Sequence, residues 1–197
     1  MTEPLEGFAA PTEEPGPGRL LVATAMLVDP NFARSVVLLL DHDEDGSLGV
    51  VLNRPSPVPV RAVLPAWADS AGEPPVLFEG GPVSPDAALA VACVPELGGT
   101  EPLGFRRLFG TVGVVDLDTP VEVLAPAVTD LRVFAGYSGW GAGQLEAEIE
   151  EGSWVVVDST VHDVFSDAPA GLWSEVLRRQ PGELAWLSTR PADPTRN

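Results

Sequence analysis

The pattern of apolar and polar positions first organises residues 35–55, SVVLLLDHDEDGSLGVVLNRP. Two runs of β-branched residues and leucines flank a polar turn containing Gly46, which predicts a β-hairpin with a longer loop. Both runs are almost continuously apolar, so both strands are expected to be covered on both faces. Just upstream, LLVATAM reads as another strand or a short packed segment. Residues 58–70, VPVRAVLPAWADS, place apolar side chains at 60, 63, 64 and 67, a helical spacing, and Pro65 predicts that this helix is short or broken. Residues 76–94 read as strand, tight Gly-Gly-Pro turn and strand, and RRLFGTVGVVDLDTP as one further short strand. PVEVLAPAVTDL fits neither period. RVFAGYSGW reads as a strand running into a glycine loop, and QLEAEIEEG as a short helix with Leu145 and Ile149 on one face. SWVVVDST reads as a strand; VHDVF and GLWSEVLRRQ read as helices, the second striped by Leu172, Trp173, Val176 and Leu177. Strands and helices mix without a βαβ repeat, so the expected class is α+β with a compact curved, mainly antiparallel sheet. One domain is expected over residues 19–190, between a disordered Pro/Gly-rich leader (1–18) and a flexible tail (191–197).

Composition agrees with a folded body. The 197 residues are 45% hydrophobic and 20% charged, and a chain of this length buries roughly 70% of its unfolded surface. Charge changes the picture more. The net charge is -18, and all 11 basic residues are arginine. With no lysine, there is no lysine Schiff base, lysine general base or P-loop lysine. Such acidity repels a phosphate backbone, which opposes direct nucleic-acid binding; Arg106-Arg107 and Arg178-Arg179 are the only paired cations. The single cysteine, Cys93, lies in an apolar run and is expected as a buried thiol. Residues 1–18 carry four Glu and no cation, the reverse of a secretory signal. The apolar run LLVATAMLV is far shorter than the ~20 residues that span a bilayer. A soluble, cytoplasmic protein without a membrane segment is expected.

The candidate chemistry is sparse. The glycine stretch FAGYSGWGAG has the order G-x-x-G-x-G-x-G, not the G-x-G-x-x-G of dinucleotide sites, and leads into a helix bearing Glu146 and Glu148. Carboxylates there occupy the potential a phosphate would seek. A strand-to-helix bend is the simpler reading, with a small-ligand loop using Tyr137 as the alternative; no cofactor is expected. DHDEDGSLG imitates a calcium loop at Asp41, Asp43, Asp45 and Gly46, but Leu52 stands where the bidentate Glu belongs, so no metal is expected. His42 and His162 are the only histidines, and DSTVHDVF sets Asp158, Ser159 and Asp163 near His162, but there is no G-x-S-x-G elbow. Arg34 and Asn53-Arg54 bracket the hairpin at one end. They could bind an anion, or satisfy carbonyls and carboxylates at the strand ends.

Three blocks together carry a resemblance: AMLVDPNFARSVVLLLDHDEDGSLGVVLNRP, EGGPVSPD and GYSGWGAGQLEAEI. In this order they are similar to the signature blocks of the YqgE/AlgH family of bacterial proteins, over about residues 19–190. One departure is that members usually show a proline where this chain has Ala25 or Met26. The resemblance implies a small barrel-like sheet surrounded by helices. It implies no established catalytic activity and no recognised DNA-binding motif, although some members carry the label of a transcriptional regulator of alginate production. The leading expectation is a non-enzymatic domain that binds a partner protein or small ligand. Arg34, His42, Asn53, Arg54, Tyr137, Trp140 and Gln144 are the candidate surface. The alternatives are a regulator acting through another protein, and a hydrolase or anion-binding enzyme using His42 with Arg34 or Ser35.

Overall fold

A computed structural model of the chain describes residues 13–95 and 100–189. Residues 1–12 of the expected leader and all of the expected tail lie outside the described residues. The rest of the leader lies along the sheet: the Glu13 N–H donates to the Val156 carbonyl and the Gly18 N–H to that of Leu39.

The strands are β1 (Leu20–Ala23), β2 (Val36–Asp43), β3 (Gly46–Val51), β4 (Pro55–Pro59), β5 (Val76–Glu79), β6 (Val83–Cys93), β7 (Phe105–Phe109), β8 (Val112–Val115), β9 (Asp130–Gly141) and β10 (Trp154–Val157). They form a curled sheet in the order β10-β1-β2-β3-β9-β6-β8-β7. β5 joins β9 in parallel and carries β4; all other strand pairs are antiparallel. The helices are short: α1 (Val60–Val63), α2 (Val121–Leu124), α3 (Gln144–Glu150), α4 (Val161–Val164), α5 (Leu172–Arg178) and α6 (Leu184–Leu187). The architecture is the expected α+β half-barrel with helices around it.

The period-two alternation of the strands builds the core. Leu20, Val22, Val36, Leu38 and Leu40 face Phe78, Val91, Val112 and Phe134 in an inner cluster completed by Trp173, Val176 and Leu177 of α5. The alternate residues Leu21, Ala23, Val37, Leu39 and Val51 face outward beneath Leu145 of α3. Farther along the sheet, Ala90, Ala92, Leu131 and Val133 face outward beneath Val60, Trp67 and Leu124. Residues 36–40 of β2 are therefore buried on both sides, as the unbroken apolar run predicts. The curl is fastened by a side chain. Register passes from Leu39↔Gly49 to Asp41↔Leu48, leaving Leu40 as the bulged residue, and its carbonyl accepts Arg106 Nη2 of β7 at 3.1 Å.

Three segments depart from the sequence reading. RRLFGTVGVV is a hairpin of two strands, because Gly110 at φ +46° lets the chain reverse within the run. The glycine stretch is not a loop. β9 continues through Gly141, and the bend falls only at Gly143, which precedes α3. β4 was not foreseen, because prolines at 55, 57 and 59 argue against a strand; it lies at an edge, where three missing N–H groups are tolerated. Elsewhere Pro65 ends α1 and begins a 3-10 turn, as expected.

Candidate functional site

Antiparallel pairing lines up His42, Ser47 and Trp140 across β2, β3 and β9, on the outer face that α3 covers. His42 Nδ1 and Ser47 Oγ share a hydrogen bond of 2.7 Å, and His42 Nε2 lies 3.6 Å from Glu146 Oε1. The imidazole thus ties the hairpin to the helix. Beside it, Glu148 is a hub. Its Oε2 accepts the indole N–H of Trp140 and that of Trp154, each at 2.9 Å, and its Oε1 accepts Gln144 Nε2. Gln144 Oε1 in turn accepts the Gly141 N–H at 3.0 Å, closing the turn between β9 and α3. Phe32 completes an aromatic group, its ring centroid 6.1 Å from Trp140 and 5.6 Å from Trp154. Sequence reasoning found Trp140 and Gln144 but missed Glu148, Trp154 and Phe32. The i, i+4 spacing of Gln144 and Glu148 was the available signal.

At the hairpin tip a shallow depression of about 280 Å³ is lined by Asp41, Asp43, Asp45, Gly46, Ser47, Leu48 and Trp140. The calcium-like aspartates are used locally. Asp41 Oδ1 accepts the His42 N–H and Asp43 Oδ1 that of Asp45. Among the described residues no group of three or more His, Cys, Asp or Glu is disposed to hold a metal.

The other candidates lie elsewhere. Arg34 precedes β2 while His42 is next to its last residue, so the length of an eight-residue strand separates them, roughly 25 Å. The guanidinium of Arg34 lies 4.0 Å from the Trp173 ring centroid. Asn53 accepts the Val36 N–H and donates to the Arg34 carbonyl; Arg54 donates to the carbonyls of Pro30 and Ala33. Together they pin the DPNF loop to the end of the hairpin. A cleft of about 70 Å³ beside them is lined by Asn31, Val51, Arg54, Glu79, Gly81 and Pro82. Ser35, the other suggested partner of His42, is fully buried at this end. Tyr137 packs against the inner cluster, on the opposite face of β9 from Trp140. The seven candidates are thus divided among the hairpin tip, the hairpin base and the sheet interior. His162 is also apart, 3.1 Å from Glu175.

The glycines explain themselves sterically. Gly136 at φ +72° sits opposite the bulge of β6, where a Cβ would fall 2.7 Å from the Gly81 carbonyl oxygen. At Gly80 a Cβ would meet the Gly136 carbonyl oxygen at 2.2 Å. The Gly-Gly-Pro turn and β9 are therefore in backbone contact that no side chain could enter.

The most unusual titratable group is one the sequence did not single out. Arg132, 1% exposed, stacks on the Phe78 ring at 4.2 Å and donates to the carbonyls of Ser166 and Glu73. Among the described residues its Nε has no hydrogen-bond partner. Burial lowers its pKa well below the usual arginine range, to about 10, against the opposing effect of Asp130.

A curled α+β half-barrel, with its signature blocks knitting one hairpin to β9 and α3, defines the class of domain to which the chain belongs. The chain belongs to the AlgH-like family, which it matches over residues 20–185. It is 63% identical over 182 residues to a UPF0301 protein of Streptomyces coelicolor, across 91% of this chain and 94% of that protein. The fold is shared with a crystal structure from Corynebacterium diphtheriae, at 35% identity and TM-score 0.87, covering 92% of this chain and 96% of that one. It is also shared with the solution structure of AlgH from Pseudomonas aeruginosa, at 28% identity and TM-score 0.63, covering 89% and 94%. Among the described residues no helix is long and apolar enough to cross a membrane.

Proposed function

We propose that this chain is a non-enzymatic domain that binds a partner protein. One observation carries the reading: the candidate side chains are engaged by the framework itself. His42 is held by Ser47 and Glu146, Asn53 and Arg54 by backbone groups, and Trp140 and Gln144 by Glu148. Arg34 stacks on Trp173, and Tyr137 packs on the inner cluster. Catalysis needs a nucleophile, its base and an orienting group gathered where a reacting atom can sit. Here His42 and the Arg34–Ser35 pair are a strand length apart. Ser47, His42 and Glu146 do bring a hydroxyl, an imidazole and a carboxylate together, but Ser47 is buried and the three tie the hairpin to α3. The signature blocks build a rigid mount, and the function falls to the surface it displays.

The test is native mass spectrometry of the chain recovered gently from the cells that make it. An added protein mass at fixed stoichiometry is expected. A retained small molecule would replace the reading with that of a ligand-binding domain, and a bare chain would overturn stable association.

A further inference from the structure

Resting on the partner-binding reading, we infer that the outer face of α3 and the loop beside it dock a cationic, amphipathic segment of the partner protein. The loop lies against the C-terminal end of α3. Thr24 Oγ1 donates to the Gly152 carbonyl at 2.7 Å, and the Met26 sulfur would lie 3.4 Å from a Cβ placed on Gly152. Leu27 turns inward and, like Phe32 and Ile149, packs against the outer cluster that α3 covers. Its neighbours turn outward: Met26 is 69% and Val28 81% exposed. Two large apolar side chains, two positions apart in the loop, are thus exposed to water, and Met26 lies next to the end of a helix.

That helix end is electrostatically ill-suited to standing alone. Helix C-termini favour cations, and like charges four residues apart repel. α3 has no basic residue in its last turn, and Glu146, Glu150 and Glu151 are exposed. Glu146 and Glu150 are one turn apart. Among the described residues no cation forms an ion pair with Glu150 or Glu151. Positive charge supplied from outside relieves both the like-charge repulsion and the helix dipole, while apolar side chains of the same segment cover Met26 and Val28. A second copy of a chain with net charge -18 brings more negative charge to this face. A nucleic acid or an anionic membrane does the same. The complementary occupant is a protein segment with basic residues on one side and apolar residues on the other, the helix-in-groove mode of recognition.

The probe is a short leucine–lysine peptide designed as an amphipathic helix, titrated into the full chain by calorimetry and by NMR of the methionine methyl groups. Saturable binding with a shift of the Met26 methyl is expected. Met26→Asp/Val28→Asp and Glu150→Arg/Glu151→Arg should each weaken it at least about tenfold, with melting temperatures near that of the parent. Asp69→Arg/Glu122→Arg, far along the sheet, should leave it unchanged. Equal loss from that distant pair, or equal binding by a scrambled peptide of the same charge, would reduce the effect to net charge and overturn the inference. Absence of a Met26 shift would do the same. If a natural partner is captured by native mass spectrometry and still binds the Met26→Asp/Val28→Asp variant, the docking face is wrong while the partner-binding reading stands. If no partner is captured, the reading itself fails.

Discussion

A single carboxylate oxygen, Glu148 Oε2, accepts both the Trp140 and the Trp154 indole N–H. Replacing Glu148 by leucine leaves two buried donors without a partner, at about 1–3 kcal/mol each, so a loss of several kcal/mol is expected in urea denaturation. Glu148→Gln, which keeps an acceptor oxygen, should cost less. Arg132 offers a test through pH. Its lowered pKa means that the unfolded chain holds this proton more tightly than the folded one. The penalty for burying its charge is therefore full at neutral pH and is lifted as pH rises through and above about 10. Compared with Arg132→Met by urea unfolding, the parent should gain relative stability above pH 10. The chain has no lysine to titrate in that window. At this scale the sequence was half legible. Trp140 stood out against glycines, whereas Trp154 was hidden in an apolar strand. One arginine in a strand does not announce whether it points to water or into the core.

Among the elements, β9 shows how alternation can be reset. Phe134 and Tyr137 both reach the inner cluster although three residues apart, because Gly136 interrupts the period. Gly136→Ala combines a positive φ with a Cβ clash against the Gly81 carbonyl, so a loss of more than about 2 kcal/mol is expected. Gly139→Ala, whose Cβ would have ordinary contacts from 3.6 Å outward, should fall within about 1 kcal/mol. Thermal unfolding of the pair separates a steric requirement from mere glycine richness. The hairpin was readable from two apolar runs around a polar turn, and α3 and α5 from their helical stripes and clear ends. The β7–β8 turn was not, because its apolar run hid a reversal that depends on one positive φ. β4 was not either, because its prolines speak against a strand unless its place at the edge is known.

The molecule as a whole carries far more negative than positive charge, and its stability should respond to salt. Raising ionic strength from about 0.01 M to about 0.15 M shortens the screening length from ~30 Å to ~8 Å. Self-repulsion is then damped, and the melting temperature should rise. For the same reason purified protein should show no specific, salt-sensitive affinity for duplex DNA in a gel-shift or anisotropy titration. Any regulatory role would then run through another protein. The margins of the sheet have a further consequence. The outer side of β10 is met by the chain at Glu13, β7 is fastened to β2 through Arg106, and β4 lacks an N–H at three of its five positions. An incoming strand would find donors missing along β4 and the Val156 carbonyl of β10 already taken, so these edges are poor templates for strand-by-strand growth. The chain's apolar interior can therefore be generous without these edges inviting aggregation.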